Sequence, residues 1–460
     1  MKNLTVETIV KICNGSLYGE EFIKESQKEA AGVVLDSRLL EKDDIFIATK
    51  GEKVDGHKFI SSVFGKGALA VICENVPEEI TGPCIQVKDS FIALKQVAAF
   101  YRQQLDLKVI GVTGSVGKTS TKEFVAGVLS AKYKVWKTQG NFNNEIGLPL
   151  TVLQLREEHE IAVLEMGISD FGEMHRLSEI AKPDICILTN IGQCHLEFLG
   201  DRDGVLKAKS EIFDFMNPEG TIFVNGDDDK LITLKETRKE KLVTFGRNQT
   251  NDVFATKEVS KGLLGSVVDV QGKINISEVQ VPLPGEHMVL NALAASAVAD
   301  LLGLTQDEIK EGMKKVEAVS GRSNIIPFKD FVMIDDCYNA NPVSMKAAID
   351  LLQSANGRKV AILGDMFELG EEEKNLHYEV GQYTVGKVDI LICIGNLAKY
   401  IYEGAIQGKN EDTFMIYLKE KEELYFHLEN IIMPQDTVLL KASHGMGFAD
   451  IVSRFQKNYS

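Results

Sequence analysis

The chain has 460 residues, 44% hydrophobic and 26% charged, a soluble globular composition long enough for two to four domains with sizeable cores. Its formal charge of −16 excludes general affinity for nucleic acid or an anionic membrane, but not for a single nucleotide, which a local field and a cation can hold. The seven cysteines are scattered and odd in number, and no Cys-x-x-Cys occurs, so they read as reduced thiols of a cytoplasmic protein. No apolar run approaches the roughly 18 residues of a membrane span, and the acidic N-terminus carries no signal peptide.

Residues 1–106 read as a small α/β domain. Asp36-Ser-Arg38 precedes a short strand at 45–48, and a polar turn follows at 51–57. Ile60, Val63 and Phe64 form one helical face, closed near Gly65 and Gly67, before a further strand at 69–73. By residue type alone, Ser37, Arg38, Asp55 and His57 are turn and cap residues. A helix at 91–105 leads into the next domain.

Residues 107–318 open on an apolar run, Lys108-Val-Ile110, followed by Gly111-Val-Thr-Gly-Ser-Val-Gly-Lys-Thr119 and an amphipathic run at 120–131. Strand, glycine-rich turn and helix are the layout of a phosphate-binding loop. Gly114 and Gly117 let backbone N–H groups of Ser115, Val116 and Ser120 surround an anion. The helix N-terminus adds a partial positive charge. Lys118 can reach β- and γ-phosphates and Thr119 can sit on Mg²⁺. Val112 stands where the strict pattern has glycine, so the loop is a variant.

Apolar strands follow at 161–164, 185–189, 221–224 and 242–245, alternating with helices, which implies a mostly parallel sheet covered on both faces. Ligands of such sheets sit at the carboxyl ends of strands, where Glu165, Asn190, His195 and Asn225 fall. Residues 252–283 read as a β-rich insertion, 291–302 as an Ala-rich helix, and Thr305 with Glu308 as a capping box. Residues 319–460 repeat the alternation, with strands at 331–334, 360–363, 390–394, 414–417 and 438–441 but no phosphate loop. The fold class expected is α/β in three domains: a small N-terminal α/β domain, a central P-loop parallel-sheet ATPase domain and a C-terminal Rossmann-like domain.

Several stretches together resemble the Mur ligase family: the loop at 111–121, Thr138-Gln-Gly-Asn-Phe-Asn-Asn-Glu-Ile-Gly-Leu-Pro-Leu150, Glu165-Met-Gly167, the segments at 190–195 and 208–213, Gly285-Glu-His-Met-Val-Leu-Asn291, Gly321-Arg322 and Asp336. Three features are similar to the members that add D-alanyl-D-alanine: the 138–150 segment, Asp335-Asp-Cys-Tyr-Asn-Ala-Asn341 and Gly364-Asp-Met-Phe-Glu-Leu-Gly370.

The resemblance implies an ATP-dependent amide ligase that joins D-alanyl-D-alanine to a UDP-N-acetylmuramoyl-tripeptide through an acyl phosphate, acting in the cytoplasm as a monomer. It implies that Ser37, Arg38, Asp55 and His57, with Asn141 and Asn144, serve the UDP-linked substrate. ATP falls to residues 114–120, Asn291, Arg322, Asp336 and Asn339. Mg²⁺ falls to Thr119, Glu165, His195 and Lys209, the last as a carbamate. Lys118, His195 and Lys209 are the implied catalytic groups; nothing in the residues themselves separates Lys209 from Lys207. Two departures stand out: Met288 where the family has asparagine, and His444 where it has arginine. A sister ligase adding a single amino acid, a nucleotide-gated binding module and a small-molecule kinase are the alternative readings.

Overall fold

The computed structural model describes residues 1–459 except 24, 26, 52, 53, 409–412 and 428–430. Glu52 and Lys53 of the expected 51–57 turn therefore lie outside the described residues. Among the described residues the strands form three sheets that follow one another along the chain.

The first sheet has five strands in the order Ser16–Tyr18, Cys84–Gln86, Ala70–Cys73, Ile45–Ile47 and Val33–Val34. Helix Ser90–Gln103, capped by the Asp89 carboxylate on the N–H groups of Phe91 and Ile92, leads out of it. That helix also anchors the next unit: the buried Tyr101 hydroxyl donates to Leu155 O at 2.8 Å.

The central sheet has nine strands. Strand Lys108–Thr113 lies between Ile161–Glu165 and Ile185–Leu188, and all of these are parallel. Every residue of the two flanking strands is buried, which is why they read as continuous apolar runs. Thr221–Asn225 and Lys241–Gly246 extend the sheet on one side, and Val135–Lys137, a short strand not expected from sequence, closes the other. The 252–283 region is an antiparallel meander, Val253–Ser260, Ser266–Gly272 and Ile276–Val281, grafted onto the sheet edge. Two helix starts differ from expectation. The helix after the loop begins at Lys118 rather than 120, and the Ala-rich helix runs Glu286–Leu301 rather than from 291. Both follow a glycine with no side-chain cap, so no N-cap residue marks them in the sequence. The Thr305–Glu308 capping box is present at helix Gln306–Lys314.

The third sheet has six strands in the order Asn324–Pro327, Val332–Asp335, Thr437–Lys441, Lys359–Gly364, Ile390–Ile394 and Phe414–Leu418. All its pairings are parallel except that of the first strand, an antiparallel edge not expected from sequence. One continuous apolar core runs from the first sheet through helix Ser90–Gln103 to one face of the central sheet. The third sheet has its own two cores, and Leu263, at the tip of the meander, is the central-unit residue packed against one of them.

Candidate active site

The phosphate loop leaves the middle of the central sheet. Gly114 takes φ +147°, and a Cβ there would stand 1.9 Å from Thr189 Oγ1, so the turn is open only to glycine. The loop is lashed to the neighbouring strand end. Ser115 N–H donates to Asn190 O at 2.9 Å. Val116 N–H donates to Asn190 Oδ1 at 3.0 Å, and Asn190 Nδ2 returns to Val116 O at 2.9 Å. Gly117 at φ +84° starts helix Lys118–Leu129 with no side-chain cap, leaving its first N–H groups free of a side-chain acceptor.

Lys118 folds back on the loop, donating from Nζ to Gly114 O at 2.8 Å and Ser115 O at 3.3 Å. Burial, and then the nearby Lys209 ammonium, push its pKa down to about 8. Thr121 Oγ1 donates to Asn291 Oδ1 at 2.8 Å, tying this helix to Glu286–Leu301.

A cavity of about 730 Å³ opens over the loop, between the central and third units. On its central side Glu165 is 1% exposed. One oxygen accepts from Asn143 Nδ2 at 2.7 Å, while the other, Oε2, has no hydrogen-bond partner. An orphaned buried carboxylate oxygen in a cavity that the buried Thr119 also lines is the hard-oxygen environment that Mg²⁺ selects. Among the described residues no three His, Cys, Asp or Glu side chains are grouped to hold a metal. A cation here therefore needs oxygens from phosphate or from a modified side chain as well.

Lys209 is 1% exposed, and burial lowers its pKa. Its helix, Arg202–Ser210, buries Val205, Ala208 and Lys209, the i, i+3, i+4 face, while Lys207 is exposed. A lysine in the apolar phase was the signal that could have separated the two.

From the third unit, Asp336 enters the cavity held by Lys441 Nζ at 2.6 Å and by Ser323 N–H at 2.9 Å. The Arg322 guanidinium lies 3.9 Å from the Tyr338 ring centroid. His195, at φ +52°, faces across the cleft with Nδ1 2.7 Å from Glu368 Oε2.

Sequence profiles of the family match three consecutive stretches: the Mur ligase family catalytic domain at 29–107, the Mur ligase middle domain at 112–299 and the Mur ligase glutamate ligase domain at 321–444. The chain belongs to the Mur ligase family. It is 38% identical, over 97% of each chain, to the UDP-N-acetylmuramoyl-tripeptide--D-alanyl-D-alanine ligase of Bacillus subtilis (strain 168). Its fold matches a crystal structure of MurF from Acinetobacter baumannii with a TM-score of 0.88 at 32% identity, over 99% of both chains. It also matches the MurF ligase of Thermotoga maritima in complex with ADP, with a TM-score of 0.79 at 30% identity, over 93% of this chain and 97% of that one.

Within this Mur ligase the expected site residues fall into three groups. Ser115, Val116, Gly117, Lys118, Thr119 and Ser120 line the cavity, while Gly114 does not. Asn144, Glu165, His195, Asn291, Arg322, Asp336 and Asn339 line it too. Lys209 and Asn141 do not; Asn141 is exposed. Ser37, Arg38, Asp55 and His57 belong to the first unit and lie outside it. There Arg38 pairs with Asp36 at 2.6 Å. His57 Nε2 accepts from Glu74 N–H at 3.0 Å, so its Nδ1 donates to Asp55 at 2.8 Å. The sequence does not single out two residues that complete the site. Asn143 holds Glu165, and three asparagines within 141–144 gave no means of choosing it. Lys441 holds Asp336, a pairing visible only when strands Val332–Asp335 and Thr437–Lys441 lie side by side.

Proposed function

We propose that the chain is a cytosolic, ATP-dependent amide ligase that joins D-alanyl-D-alanine to a UDP-N-acetylmuramoyl-tripeptide, giving the pentapeptide precursor of peptidoglycan. The substrate pair is the one in the name of the Bacillus subtilis relative. The observation that carries the reading is geometric: the phosphate loop, the half-unpaired Glu165 and the third unit's Arg322 and Asp336 converge on one cavity. A kinase needs the loop and a place for one acceptor; a ligase also needs room and alignment for a third substrate, the amine.

A carboxylate is a poor acylating agent in water, so the tripeptide carboxylate first attacks the γ-phosphorus of ATP and ADP leaves. The Lys118 ammonium draws charge off the transferred group. The amine of D-alanyl-D-alanine then attacks the acyl phosphate, and phosphate departs. Thr119, Glu165 and His195 are the residues that would hold Mg²⁺, which supplies charge neutralisation on the phosphates when bound. Lys209 would join them as a carbamate. Burial lowers the pKa of its amine and so shifts it toward the neutral form that adds to carbon dioxide, and the product is an anionic oxygen ligand. Arg322 and Asp336 would engage ATP, and closure of the third unit excludes water and orients the amine. The first unit, 1–106, holds the uridine end; the boundaries 107–318 and 319–460 separate the nucleotide and dipeptide roles.

Phosphate release tests the reading. It should require the UDP-linked tripeptide and D-alanyl-D-alanine together, with a pentapeptide product of matching mass. Steady release with the tripeptide alone, or a stable phosphorylated product without the dipeptide, would overturn it.

A further inference from the structure

The loop at 364–370 is built to present one side chain. The Asp365 carboxylate accepts from the N–H groups of Asn396, Leu397 and Ala398 at 3.1, 2.9 and 2.7 Å. Met366 N–H donates to His377 Nε2 at 2.8 Å, and Phe367 N–H to Ser443 Oγ at 2.9 Å. Ser443 N–H donates back to Asp365 O at 2.9 Å. These anchors hold the loop on the third unit, and the next residue, Glu368, is left at φ +62°. Its carboxylate crosses the cleft to His195, itself at φ +52°. Two non-glycine residues in the left-handed region, one from each unit and each facing the other, are a strained pairing that only surrounding structure can hold.

The His195 side is equally fixed. Gly192 N–H donates to Ser115 Oγ at 2.9 Å, and Cys194 Sγ lies 3.2 Å from the same hydroxyl, so the loop bearing His195 is tied to the phosphate loop. Nδ1 and Oε2 are 2.7 Å apart, but the ring N–H is not aligned on the carboxylate, so a small turn of the ring completes the hydrogen bond.

We propose that Glu368 is a positioning residue that makes closure of the third unit and orientation of the His195 ring a single event. An imidazole steered through one nitrogen by a carboxylate has its other nitrogen fixed in direction. Here the carboxylate arrives only when the third unit is closed, so the phosphate site is completed by the unit that brings the amine substrate. The activity arm of the test rests on the ligase reading; the closure arm does not.

The test uses the full chain with a non-hydrolysable ATP analogue and follows compaction by small-angle scattering and the His195 ring by ¹⁵N NMR. In Glu368→Gln, compaction should need about ten-fold more analogue and the His195 ring signals should move. Ligation kcat should fall about ten-fold, and the KM for ATP should rise in step with the analogue requirement. Glu368→Asp should recover part of the loss, and the double variant with His195→Gln should be no worse than His195→Gln alone. Wild-type compaction and ring signals in Glu368→Gln, or a double variant showing the product of the two single losses, would overturn the proposal. Compaction and ring shifts behaving as expected without any amide product would instead count against the ligase reading alone.

Discussion

The amine of Lys118 makes nucleotide binding a proton-linked event. Its pKa is about 8, against 10.5 for the free side chain, because burial and Lys209 both disfavour the ammonium. Phosphate favours the ammonium. ADP binding above pH 8 must therefore drive proton uptake, and affinity must fall as pH rises through 8. At pH 9 uptake should approach ~0.9 protons, and affinity should be about ten-fold below its value at pH 7. Calorimetry of ADP binding at pH 9, in two buffers of different ionisation enthalpy and with carbon dioxide excluded, measures the uptake directly. Lys118→Met should abolish it. Adding bicarbonate should reduce it, because a carbamate on Lys209 replaces a neighbouring cation with an anion and restores the Lys118 ammonium before nucleotide binds. Uptake below about 0.3 protons without carbon dioxide, or an affinity flat from pH 7 to pH 9, would refute the electrostatic account of the loop.

Two further outcomes follow from the same region. Lys209→Ala should lose activity by about 10- to 100-fold, with partial recovery in millimolar short carboxylic acids, and wild-type protein in ¹³C-bicarbonate should show a carbamate carbon that the variant lacks; unchanged turnover would end the carbamate assignment. Gly114→Ala forces a side chain into a glycine-only conformation and onto Thr189, at a cost of order 1–3 kcal/mol, so ADP binding by calorimetry should weaken roughly ten- to a hundred-fold.

The strands around the phosphate loop were legible because a sheet buried on both faces needs unbroken apolar runs, and Ile161–Glu165 and Ile185–Leu188 carry them. Val135–Lys137 was not, since three residues establish no period. Helix starts failed where glycine replaced a capping side chain, at Gly117 and Gly285. Loop chemistry was legible for Lys118 and Thr119, whose neighbours in sequence are their neighbours in space. It was not for Asn143, Lys441 or Glu368. Their partners Glu165, Asp336 and His195 lie on other strands or another unit, and only the folded chain brings each pair within 2.7 Å.

The continuity of one core and the separateness of the others give this chain the construction of a tool with an exchangeable head. The first and central sheets share a hydrophobic interior, so no cut between them leaves either face dry. The third sheet closes its own interiors and leans on the central unit through Leu263 and the polar rim of the cleft. A chain assembled in this way can exchange its last cassette without opening the interior that the first two sheets share. The phosphate loop and the buried Glu165 stay seated in the part of the molecule that such an exchange leaves intact, while Arg322 and Asp336 travel with the cassette.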